Sequence, residues 1–169
     1  MKSLFLTLIL AGLSAVACAG PVKKVSDFEL TDQNERIRVY AFPKEKITVM
    51  TVADHKGSGQ LAPWIRQLYD RYEKQIDIDG VADVSMIAKP FHGLFRAAFR
   101  RQLAYSVMLD WDGDVVKQFG YEKGVANIFV IDRMGYIVRR ITGSASDGAR
   151  QKLFIEIDRA IAGQPNSSP

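Results

Sequence analysis

The run Ile47-Thr-Val-Met-Thr-Val-Ala53 is apolar at nearly every position and rich in β-branched residues. A strand with one wet face alternates apolar and polar side chains, so a run that hardly alternates belongs to a strand covered on both sides. The chain must therefore build layers on both faces of a sheet. Asn127-Ile-Phe-Val-Ile-Asp132 is the most strand-like run, and Arg-Met-Gly separates it from a partner strand over Tyr136–Ile141, which predicts a hairpin.

The segments between these strands supply the layers. Leu61, Trp64, Ile65, Leu68, Tyr69 and Tyr72 recur at helical spacing, with Pro63 where the first turn of a helix tolerates it. Phe91, Leu94, Phe95, Ala98, Phe99 and Leu103 mark a second helix, expected to pack its aromatic face on the sheet and leave Arg96, Arg100 and Arg101 in water. Strands are expected over Ile76–Ser85 and Tyr105–Leu109, and a short helix over Val115–Phe119. The last helix, capped by Ser144 or Ser146, carries Leu153, Phe154, Ile157, Ala160 and Ile161 on its apolar face. Two short alternating stretches, from Asp27 and from Ile37, predict a strand hairpin at the start of the domain. Strands that alternate with helices imply a partly parallel sheet, and the terminal hairpin adds antiparallel strands.

Residues 1–19 read as a secretory signal: a cation at Lys2, an apolar run of 13 residues from Leu4 to Val16, then small residues. The run is short of the roughly 20 residues that span a bilayer, so no transmembrane span is expected in the mature protein. Both Ala15-Val16-Ala17 and Ala17-Cys18-Ala19 satisfy a signal-peptidase site. Ala15-Val16-Ala17-Cys18 also resembles a lipoprotein box, which would place a lipid anchor on Cys18. Residues 22–163 form the expected domain and 164–169 a disordered tail. Cys18 is the single cysteine, so the mature domain can hold no internal disulfide or dithiol pair. The net charge of +4 includes no long run of like charges, which argues against nucleic acid as a partner.

In this order the local sequences resemble the thioredoxin-like superfamily, and within it the redoxin branch of peroxiredoxin-like and periplasmic thioredoxin-like proteins, in a cysteine-less form. The resemblance is carried by Asp27-Phe-Glu-Leu-Thr-Asp32, by Val49-Met-Thr-Val-Ala-Asp54 running into a loop and a proline-containing helix, by Val107–Gly120, and most specifically by Gly124-Val-Ala-Asn-Ile-Phe-Val-Ile-Asp-Arg-Met-Gly-Tyr-Ile-Val138. It implies an α/β protein, a three-layer α-β-α thioredoxin-like fold with a mixed central sheet and an N-terminal β-hairpin extension.

The resemblance also says where the chemistry should be, and there the chain departs from it. The nucleophilic cysteine of such proteins sits at a helix N-terminus, where the helix dipole favours thiolate. His55 holds that position here, Ser58 holds the resolving position, and Ala126 replaces the cis-proline. A cis bond before a non-proline residue costs about 2.5–4 kcal/mol, so Val125–Ala126 is expected trans.

These departures imply an exported thioredoxin-fold protein without thiol chemistry, binding a periplasmic protein or peptide in a groove formed by Asp54, His55, Lys56, Ser58, Val125 and Ala126. Two alternatives stay open. One is a redoxin-type oxidoreductase that uses Cys18 or a partner's thiol. The other is a metal or anion carrier through Asp54, His55 and His92, although two histidines without a thiol fall short of the usual three or four transition-metal ligands. No cofactor is expected. Asp110-Trp-Asp-Gly-Asp114 has the wrong spacing for an EF-hand and reads as a solvated turn.

Overall fold

The computed structural model describes residues 23–163. The expected signal segment 1–19, Cys18 and the tail 164–169 lie outside the described residues. Strands β1 (Phe28–Asp32), β2 (Ile37–Tyr40), β3 (Thr48–Ala53), β4 (Asp77–Asp83), β5 (Met108–Asp110), β6 (Asn127–Ile131) and β7 (Ile137–Thr142) form one sheet in the order β2-β1-β5-β4-β3-β6-β7. β4 runs parallel to β3 and β5, and the other pairs are antiparallel, so the sheet is mixed. The helices are α1 (His55–Ser58), α2 (Ala62–Tyr72), α3 (His92–Gln102), α4 (Asp114–Phe119) and α5 (Asp147–Ile161).

The continuous apolarity of β3 has the predicted cause. Ile47 and Val49 join Ile128 and Val130 beneath Trp64 and Leu68 of α2 and Leu153 and Ile157 of α5. Met50 and Val52 point the other way, into a cluster with Phe129, Val115, Val116 and Phe119. Every residue of β3 and of β6 is buried. β3 lies between β4 and β6, the central place its pattern called for. At the start of α5, Ser146 is the cap, its hydroxyl accepting the Ala149 N–H at 3.3 Å. Pro63 falls in the first turn of α2, and the residues before it form the separate turn α1 instead of extending that helix.

Two local expectations are corrected. Helix α3 does not seat its aromatic face on the sheet: none of its residues is buried, and Phe95 remains 40% and Leu94 63% exposed. Amphipathic spacing sets which side of a helix turns inward but not how close it comes. Nor is Asp110 in a solvated turn. It is buried, and its carboxylate accepts the N–H groups of Gly113 at 2.9 Å and Val116 at 2.8 Å, satisfying donors at the start of α4 that would otherwise be orphaned.

A second buried carboxylate closes the β1–β2 hairpin. Asp32 accepts from the Asn34 N–H at 2.7 Å, the Arg36 N–H at 3.0 Å and the Ser106 hydroxyl at 2.7 Å. Burial by itself would raise its pKa, but the Ser106 hydroxyl and the backbone donors outweigh that and hold it below the ordinary 3.8. Because the folded value lies below the unfolded one, the stabilisation is complete above the unfolded pKa and is lost as pH falls through the folded value. Urea midpoints measured at pH 6 and pH 2.5 should therefore converge in an Asp32→Asn variant relative to the wild type. A wild-type-like drop in the variant would contradict this assignment.

Candidate functional site

The site grows from the C-terminal end of β3, where the chain leaves the sheet at Ala53 and turns into α1. Asp54 is the N-cap of that turn: one carboxylate oxygen accepts the Gly57 N–H at 2.8 Å. Its other oxygen accepts the Gly124 N–H, also at 2.8 Å, from the loop that leads into β6. One side chain thus joins the two loops that carry His55 and Ser58 on one side and Ala126 on the other, the positions where the resemblance leads one to expect thiols and a cis-proline. Gln60 adds a third tie, its amide oxygen accepting the Ala126 N–H at 3.3 Å.

From the far side, the wholly buried Asn127 holds the same loop. Its amide nitrogen donates to the carbonyls of Glu122 at 2.8 Å and Val125 at 3.0 Å, and its oxygen accepts the Glu122 N–H at 2.8 Å. The Val125–Ala126 peptide is trans, as expected; the cis bond among the described residues is Phe42–Pro43.

The two loops touch through backbone. A Cβ built on Gly57 would lie 2.3 Å from the Val125 carbonyl oxygen, so only glycine lets them meet. This contact bears on the expected groove. Asp54, His55, Lys56 and Ser58 border open space, whereas Ala126 is wholly buried among α2, α5 and sheet residues and Val125 lies against Gly57. The opening is on the other side of α1, beneath α3.

There the standoff of α3 leaves a cavity of about 560 Å³ walled by Val84, Met86, Ile87, Phe95 and Phe99 and rimmed by Lys56 and Lys123. A second, of about 290 Å³, continues past Leu61, Gly80, Ala98 and Leu103 toward Gln102 and Tyr105. The two share Ala53, His55, Ser58, Ala82, Phe95 and Phe99 as walls. Two hydroxyls on these walls are already engaged: Thr51 donates to the Asp79 carbonyl at 3.2 Å and Ser58 to the His55 carbonyl at 2.7 Å. At the rim, Asp83 accepts from the Ser85 hydroxyl at 2.6 Å and from the Tyr121 hydroxyl, and burial together with the Asp83 bond keeps Tyr121 protonated well above its usual range.

His55 and Ser58 are therefore brought together on the walls common to both cavities, with the Ser58 hydroxyl donating to the His55 carbonyl and not to a base. His92 is engaged elsewhere, donating from Nε2 to the Ile87 carbonyl at 2.9 Å while its ring stacks on Trp111 at 3.7 Å between centroids. With both Asp54 oxygens accepting backbone N–H groups, the residues expected as a carrier site do not assemble. No group of three or more His, Cys, Asp or Glu side chains is arranged to hold a metal among the described residues. Among the described residues no helix is long and apolar enough to cross a membrane.

Sequence reasoning missed Phe95 and Phe99 as cavity walls and Gln60 and Asn127 as loop anchors. The Asp54-x-x-Gly57 spacing carried the signal for the cap. Nothing local could show that the same carboxylate reaches Gly124, 70 residues away.

No family model and no curated protein matches the chain. Solved structures do. The pneumococcal exposed lipoprotein thioredoxin from Streptococcus pneumoniae aligns at 18% identity over 78% of this chain and 99% of its own, with a TM-score of 0.62. A thiol:disulfide interchange protein of the thioredoxin family from Chlorobium tepidum aligns at 16% identity over 85% and 99%, with a TM-score of 0.59. The peroxidoxin BcpB from Mycobacterium tuberculosis aligns at 22% identity over 81% and 95%, with a TM-score of 0.57. With its mixed sheet, its helix-covered β3 and these neighbours, the chain has a thioredoxin-like fold.

Proposed function

We propose that the protein is an exported, thiol-independent binding protein of the periplasm, which uses the position of the former thiol centre as one wall of a binding site. The observation that carries this reading is the fixed junction between the two loops. Asp54 and Gln60 tie the two loops together, Gly57 closes the space between them, and the opening lies against His55, Ser58 and the apolar side of α3. Redox turnover needs a thiolate that attacks and a second sulfur that resolves, and the described residues contain neither. The solved neighbours named for thiol:disulfide interchange and peroxidoxin activity favour the opposing reading, in which Cys18 or a partner's thiol restores that chemistry.

The two readings separate in one assay. Insulin disulfide reduction and peroxide consumption are measured for the wild type and for Cys18→Ser, with a thioredoxin as positive control. The binding reading expects both proteins to remain at the uncatalysed rate. Turnover by the wild type that Cys18→Ser abolishes would establish the oxidoreductase in its place.

A further inference from the structure

The two cavities beneath α3 adjoin along six common wall residues and are taken together as one channel. One end is the rim at Lys56 and Lys123, and the other is at Gln102 and Tyr105. Its middle is walled by Ala53, Ala82, Phe95 and Phe99, together with the His55 ring and Ser58, whose hydroxyl is engaged by the His55 carbonyl. The larger chamber alone falls within the range of small-molecule sites, roughly 300–1,000 Å³. An apolar channel of that size favours an apolar occupant.

The rim specifies the rest. Both carboxylates there are occupied, Asp54 by two backbone N–H groups and Asp83 by Ser85 and Tyr121. Among the described residues the ammonium groups of Lys56 and Lys123 make no hydrogen bond and no close ion pair, although the charge of Lys123 already acts on the anionic Asp83 carboxylate. At this rim the donors left to a ligand include both ammonium groups, beside the His55 ring. Met86, 88% exposed, and Phe95, 40% exposed, extend the apolar wall outward at the same mouth.

We propose that this channel binds a single-chain amphiphile with an anionic head, a long-chain carboxylate, its head between Lys56 and Lys123 and its chain running beneath α3 toward Tyr105. The inference rests on the binding reading above and gives its ligand class. Head recognition is electrostatic, and chain recognition comes from area removed from water, at about 0.8 kcal/mol or close to fourfold in Kd per buried methylene.

The test is calorimetric titration of the purified, delipidated protein with dodecanoate below its micellar concentration. Saturable one-to-one binding is expected, weakening up to about fourfold per methylene removed toward octanoate. Ala98→Trp, which fills the channel, should weaken dodecanoate at least tenfold, and Lys56→Ala with Lys123→Ala should remove most of its advantage over dodecanol. Ala82→Leu serves as a second filling variant, and amide shifts of Ala53, Ala82 and Ala98 on titrating the wild type locate the ligand without any substitution. Absence of saturable binding to the folded wild type, equal binding to folded filling variants, or equal affinity for dodecanol would overturn the proposal. So would association only with phosphatidylglycerol vesicles that Ala98→Trp leaves unchanged, which would mean surface adsorption. None of these results bears on thiol-independence, which the insulin and peroxide assays decide separately.

Discussion

Truncation of Phe129 to Ala should cost about 3–5 kcal/mol in urea unfolding, the range for deleting a fully buried aromatic ring. Phe129 is 1% exposed, pairs with Met50 across β3 and β6, and packs on Phe119 with ring centroids 5.1 Å apart. Its removal leaves a void between the sheet and α4 that neither strand can close without breaking its ladder. The comparison that gives the figure meaning is the double variant His55→Ala, Ser58→Ala. Both residues are exposed on α1, and the Ser58 hydroxyl bonds only the His55 carbonyl, so about 1 kcal/mol or less is expected. If the loop variant lost as much as the Phe129 variant, His55 and Ser58 would belong to the structural core of the domain.

The second large effect is expected at Gly57. Replacing it with Ala places a methyl group 2.3 Å from the Val125 carbonyl oxygen, and that neighbour is backbone that cannot rotate away. Overpacking of this kind costs typically about 1–3 kcal/mol, and here the upper end is expected because relief requires α1 to move from the loop Asp54 holds. The amide of Gly124 reports that movement directly: its N–H should lose protection from exchange as the bond to Asp54 lengthens. A Gly57→Ala protein with wild-type stability and an unchanged Gly124 amide would show that the two loops are not in contact.

These two positions also mark what the sequence discloses and what it does not. Phe129 lies in a run whose apolarity alone places it in a covered strand, and the hairpin, the α2 stripe and the Ser146 cap are equally local patterns. Gly57 reads only as one turn residue among several in Asp54-His-Lys-Gly-Ser-Gly59, because its role is to admit Val125, which arrives from the other end of the chain. Asp110 misleads in the same way: flanked by acidic and turn residues it reads as solvated, yet its partners are the N–H groups three and six positions ahead. The aromatic spacing of α3 marks Phe95 and Phe99 as inward but misleads on Arg96, expected in water yet 22% exposed, paired with Glu35 and lying over Trp111, while Phe91 and Leu94 stay exposed; nor does it carry the distance on which the cavity depends. The positions of His55, Ser58 and Ala126 come from family resemblance. That Ala126 is buried away from the opening that His55 and Ser58 border follows from the fold.

The protein is open beneath α3 and closed between the two loops. Benzene enters apolar cavities without demanding any polar group, so titrating it into the isotope-labelled protein and following backbone amide shifts locates accessible apolar space directly. Saturable shifts at Ala53, Ala82, Ala98 and Phe99, with Ala126 and Asn127 unmoved, are the predicted result. Shifts confined to Gly124–Asn127 and α1, with α3 unaffected, would contradict it.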